Sequence, residues 1–172
     1  ENDLLKISEN KNLLIVQIVQ YKNSSVSFEN IEIDGLKLMN KSLDVSFNKD
    51  TRILWNGPKN WLLVSTKKEL IKNIRNDFKD TDFAITDLSH SRAIIEIEGW
   101  EAKEVLKKGC PFNFDELEKN KSTNSTYNGI AFTMDILNDD PIKMRLFVLR
   151  SFGESFYHSI TDSSLEFGFK AV

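Results

Sequence analysis

The most constraining stretch of this 172-residue sequence is a hairpin pattern. Ile130, Phe132, Met134 and Ile136 alternate with Ala131, Thr133 and Asp135, which gives a strand one apolar face. Asn138-Asp139-Asp140-Pro141 supplies turn chemistry, and Ile142–Leu149 supplies the return strand. A chain built on such a ribbon must cover the apolar face with further strands or helices. Leu13–Val19 is a nearly continuous apolar run, the pattern of a strand buried on both faces. Arg52–Trp55 and Trp61–Ser65 flank the turn Asn56-Gly57-Pro58. Phe83–Leu88 and Ala93–Glu98 read as further strands, the second with Ala93, Ile95 and Ile97 on one face.

Three helices are predicted. Thr66-Lys67-Lys68-Glu69 has the form of a capping box, and Leu70, Ile71, Ile74 and Phe78 follow as an apolar stripe. Gly99–Lys108 buries Ala102, Val105 and Leu106 and stops at Gly109 and Pro111. Ser151-Phe152-Gly153-Glu154 is a second capping box, opening a helix to about Phe167 with Phe156, Ile160 and Phe167 toward the core. Lys22–Asp50 reads as loop with short extended pieces, and Lys119–Asn128 as a polar, turn-like segment. Strands and helices mix without strict alternation. The expected class is α+β, a mixed, mostly antiparallel sheet covered by helices. No linker interrupts residues 1–172, so one domain is expected.

Charge and composition narrow the function. The net charge is −3 and the basic residues are scattered, which argues against a nucleic-acid partner. The apolar runs fall far short of the ~18 residues that span a bilayer, so no membrane partner is expected. The single cysteine, Cys110, permits no intrachain disulfide and suits a reducing, cytoplasmic setting.

Reactive residues are sparse. His90 lies between Ser89 and Ser91, three residues after Asp87, but neighbours on one stretch do not converge as a triad does. Cys110 follows a helix C-terminus, where the dipole disfavours a thiolate. His90 and His158 are far apart in the chain, and no Gly-rich phosphate loop occurs. Catalytic, cofactor-binding and metal residues are therefore expected to be absent. Trp55-Asn56-Gly57-Pro58-Lys59-Asn60-Trp61-Leu62-Leu63 stands out instead. It is either an aromatic clamp in the core or a partner-facing patch.

Three ordered segments carry a family resemblance. They are Trp55-x-Gly57-Pro58-x-x-Trp61-Leu62-Leu63; Asp87-Leu88-Ser89-His90-Ser91-Arg92 with strand Ala93–Glu98 and Gly99-x-x-Ala102-x-x-x-Leu106; and Lys108-Gly109-Cys110-Pro111 followed by Leu146–Leu149 and Arg150-Ser151-Phe152. The second resembles the folate-binding superfamily of the glycine-cleavage T-protein. The ordered set, over roughly Leu13 to Gly168, resembles the gamma subunit of heterotetrameric sarcosine oxidase. That resemblance implies a T-protein-like fold and a noncatalytic subunit that stabilises an assembly. Such assemblies convert sarcosine, tetrahydrofolate and O2 to glycine, 5,10-methylenetetrahydrofolate and H2O2. FAD, FMN and NAD then sit on the alpha and beta subunits, zinc on delta, and the folate site on alpha. The implied partners are alpha, beta and delta, with alpha in direct contact. Trp55, Trp61, Arg92, Arg150 and Phe152 lie in or beside the matching segments and are of hot-spot types, so they are the expected interface. The alternative is a free-standing folate-binding protein with an aminomethyltransferase-like or regulatory role. It requires a concave pocket with an aromatic wall and a basic group. The sequence departs from the transferases at Asn128-Gly129-Ile130-Ala131, where their Gly-Gly-x-x-x-Asp segment is unmatched.

Overall fold

The computed structural model describes residues 4–172. Its first strand, β1 (Leu5–Glu9), belongs with the C-terminal half: the segment ending at Lys11 joins Ser91–Val172 in one unit, and Asn12–His90 forms another. Neither crossing carries linker composition, which is why the sequence reads as one uninterrupted stretch.

The inserted unit, Asn12–His90, contains β2 (Leu14–Gln20), a small hairpin of β3 (Glu32–Ile33) and β4 (Leu36–Lys37), β5 (Val45–Phe47), β6 (Thr51–Gly57), β7 (Asn60–Ser65), α1 (Leu70–Asp77) and β8 (Phe83–Asp87). Its main sheet is antiparallel in the order β5-β6-β7-β2-β8. Val16, Ile18, Ile53, Trp61 and Leu63 from the sheet pack with Ile33, Leu36 and Leu38, and with Leu70, Ile74 and Phe78 of the α1 stripe.

The discontinuous unit adds β9 (Arg92–Glu98), α2 (Ala102–Lys107), β10 (Ser122–Tyr127), β11 (Ile130–Asp139), β12 (Ile142–Leu149), α3 (Gly153–Ser164) and β13 (Phe169–Ala171). Its sheet runs β10-β11-β12-β9-β1-β13 and is antiparallel except for the parallel pair β1–β13. The apolar face read from the sequence, with Phe132, Met134 and Ile136, meets Ala102, Val105 and Leu106 of α2 and Phe156 and Ile160 of α3. The α+β class and the mostly antiparallel sheet under helices are as the sequence indicates.

Several local expectations need correction. Lys119–Asn128 contains strand β10 rather than a turn-like segment, because Asn128-Gly129 is a two-residue hairpin turn with φ of 48° and 83° that folds β10 onto β11. Neither capping box forms. Before α1, the Thr66 hydroxyl turns to the Asp50 carboxylate, and no side chain caps the helix. Before α3, a 3-10 turn, Arg150–Phe152, runs straight into the helix, which ends at Ser164 rather than near Phe167. Helix α2 begins at Ala102, because Gly99 has φ 145° and packs against Leu5 too closely for a Cβ. Gly109 serves by the same closeness, with Tyr127 and Asn128 where its Cβ would lie.

Lys22–Asp50 is loop with short extended pieces, as expected, but it has firm anchors. Asp34 forms the turn of the β3–β4 hairpin and accepts hydrogen bonds from Thr51 Oγ1 (2.6 Å), Asn48 Nδ2 (3.1 Å) and Lys67 Nζ (2.7 Å). Those donors, the Lys67 ammonium foremost, hold its carboxyl at about 2. Lys67 is thus committed to this knot.

Candidate partner interface

The five residues expected at an interface separate into two groups. Trp61 belongs to the core. It is 0% exposed, its Nε1 donates to the Met39 carbonyl at 2.6 Å, and the Phe28 ring lies 5.2 Å from its own. It has no surface to offer a partner, so for Trp61 the core-clamp reading holds and the partner-facing one is corrected. Trp55 lies opposite Trp61 in the β6–β7 register and is half-buried. Its Nε1 is a buried donor with no hydrogen-bond partner in the structure.

Arg92, Arg150 and Phe152 come together in the discontinuous unit. Arg92 opens β9 opposite Leu149, the last residue of β12. Arg150 follows, its backbone N–H donating to the Ser91 carbonyl (2.9 Å) and its Nη2 to the Arg92 carbonyl (3.0 Å). These bonds clamp the end of β12 to the start of β9 and hold Leu149 and Phe152 in the open, 44% and 47% exposed. Burial pushes the Arg92 guanidinium below its usual value, yet it remains a cation. Two exposed apolar side chains beside two guanidiniums have the make-up of an interface anchor. Leu149 escaped the sequence reading because it ends a strand whose alternation says only which residues face inward.

A groove of about 430 Å³ lies beside this corner. Ile7, Ala93 and Ile95 form its floor, and Tyr157, Arg150 and Glu154 stand on its walls. Gly153 keeps the start of α3 close to β9, since a Cβ there would lie 3.0 Å from that of Ala93.

The potentially reactive residues have structural partners. The Asp87 carboxylate accepts from Ser89 N (3.0 Å) and Ser89 Oγ (2.6 Å), while Ser89 Oγ accepts from Ile15 N (3.0 Å). Burial pushes the Asp87 carboxyl up, but the Ser89 bonds outweigh it and the group sits below its usual value. The arrangement locks the end of β8 to β2 and spends the serine hydroxyl on the Asp87 carboxylate. Cys110 is buried and donates to Ser125 Oγ at 3.2 Å. Among the described residues, no three His, Cys, Asp or Glu side chains cluster to hold a metal ion. No described helix is long and apolar enough to cross a membrane.

A polar row on the sheet went unread in the sequence. Glu96 Oε1 accepts from Arg145 Nε (2.9 Å) and Asn10 Nδ2 (3.1 Å), and Lys143 lies 3.3 Å from its second oxygen. Burial alone would raise this carboxyl; the Arg145 charge and hydrogen bond, with Asn10 and Lys143, bring it below the ordinary range. Glu96, Arg145 and Asp135 are cross-strand neighbours in the register of β9, β12 and β11.

Among known proteins, no family model and no curated sequence matches this chain. Solved structures do. A chain of heterotetrameric sarcosine oxidase from Corynebacterium sp. U-96, in complex with pyrrole 2-carboxylate, matches with a TM-score of 0.87 and 21% identity, covering 100% of this chain and 89% of that one. The glycine cleavage system aminomethyltransferase T from Bartonella henselae matches with a TM-score of 0.67 and 10% identity, over 98% of this chain but 48% of its own length. At these identities the likeness is one of fold, and the fold is the T-protein-like one.

Proposed function

We propose that this chain is a noncatalytic, gamma-type subunit of a heterotetrameric sarcosine oxidase assembly and that it stabilises the complex. The observation that carries the reading is the match in extent. The whole chain lies over nearly all of one sarcosine oxidase chain, but over only half of the aminomethyltransferase. The engaged Ser89 and Cys110 side chains and the exposed Leu149–Phe152 corner agree with a role in packing. In this reading FAD, FMN, NAD and zinc belong to the other chains and tetrahydrofolate to alpha. Sarcosine oxidation takes place there, in the cytoplasm, and alpha is the direct contact. Co-expression with an alpha-type subunit of the same source tests it. A stable complex that survives purification is expected; a chain that elutes apart from alpha ends the proposal.

One observation favours a second reading, a free-standing folate-binding protein. The groove beside α3 offers Tyr157 as an aromatic wall and Arg150 as a basic group. Glu9 and Glu154 line the same groove, however, and oppose the carboxylates of a glutamate tail. Calorimetry with tetrahydrofolate separates the two. Heat of binding that disappears in Tyr157→Ala supports the second; no heat at high micromolar ligand removes it.

A further inference from the structure

The sequence draws the eye to Trp55 and Trp61, yet the third tryptophan is the exposed one. Trp100 is 57% exposed, directly after Gly99, whose φ of 145° turns the chain out of β9. A single exposed apolar residue needs no explanation, but Trp100 has company. It lines a hollow of about 260 Å³ with Leu4, Pro141, Lys6, Lys170 and Glu98, and Leu4 is itself 47% exposed. Leu4 covers Gly168, whose N–H donates to the Leu165 carbonyl, and Leu165 is 68% exposed. The apolar surface of the hollow joins Pro141, Trp100 and Leu4.

The lining has one sign in excess, two lysines, Lys6 and Lys170, against one carboxylate, Glu98. The one carboxylate in the lining, Glu98, is already shared by Lys6 at 3.0 Å and Lys143 at 3.4 Å. Glu101 and Asp140, adjacent in sequence, are not part of the lining. In a chain of net charge −3, a lining with a positive excess is a local reversal of sign.

We infer that the Trp100 face is a docking surface for a partner subunit that presents an apolar anchor flanked by acidic residues. The inference rests on the assembly role proposed above and assigns a surface to it. Trp100 supplies the large, rigid contact area typical of a hot spot, and the lysines select the charge of what approaches.

The test uses the full chain and the alpha-type subunit. Trp100→Ala weakens the complex by about tenfold or more, as loss of a hot-spot tryptophan does. Lys170→Glu, on the exposed edge strand β13, also weakens it and flattens its dependence on salt. In chain labelled with 5-fluorotryptophan, the fluorine resonance assigned to Trp100 shifts on binding while that of buried Trp61 stays. If the complex forms but Trp100→Ala binds as wild type and the resonance does not move, the surface is wrong and the assembly role stands. Self-association lost in Trp100→Ala makes the occupant a second copy and overturns the acidic partner. Absence of any complex with the wild-type chain removes both.

Discussion

Asp34 gathers three donors from elements far apart in the sequence: Asn48, Thr51 and Lys67. A carboxyl at about 2 in the fold, against an ordinary 3.8, contributes stability that is fully present above pH ~4 and is lost as the pH falls through about 2. Asp34→Asn is expected to cost about 1–2 kcal/mol near neutral pH, with the gap to wild type closing below pH ~3. Urea melts at both pH values check this. Arg145 poses the opposite problem, since it and Glu96 are both largely buried, with side chains 14% and 11% exposed. Arg145→Met leaves the buried Glu96 carboxylate to Asn10 and Lys143 and should cost about 2–4 kcal/mol, whereas pairing it with Glu96→Met recovers much of the loss. A double-mutant cycle by chemical denaturation reads that recovery directly.

At the scale of elements, Trp61 joins the sheet of the inserted unit to the segment that crosses its face. Its N–H serves the Met39 carbonyl, and its ring packs with Ile33, Leu36 and Leu38 around it. Trp61→Phe keeps an aromatic ring but removes the donor. Amide exchange at Ile33 and Leu36 should accelerate more than exchange in β2, with a loss of about 1–2 kcal/mol. Elements whose hydrophobic period was clean, such as β11, β12 and the α1 stripe, were legible in the sequence. Others were not, for identifiable reasons. β10 is Ser-Thr-Asn-Ser-Thr-Tyr, polar because only Ser122 and Tyr127 are buried, and the usable signal was the Asn128-Gly129 turn after it. The anchors of Lys22–Asp50 are tertiary, so nothing local announces them. The capping box before α1 failed because the Thr66 hydroxyl has the Asp50 carboxylate as its partner, and the one before α3 because a 3-10 turn takes up its first residues.

At the scale of the molecule, strand order is what the sequence conceals. β1 and β13, from opposite ends of the chain, lie side by side in one sheet, and no periodicity reports that pairing. Of the residues the sequence offers as an interface, Arg92, Arg150 and Phe152 are neighbours and Trp61 lies in the core, while the exposed Trp100 carried no sequence signal. Side-chain type marks such residues as anchors; only burial separates an anchor in the core from one on the surface. The proposed role is to pack on a larger partner. Sedimentation velocity of the purified chain, alone and mixed with an equal amount of the alpha-type subunit, tests it. The slow boundary of the free chain is expected to disappear into a faster one carrying both proteins. Two boundaries that sediment in the mixture as they do alone contradict it.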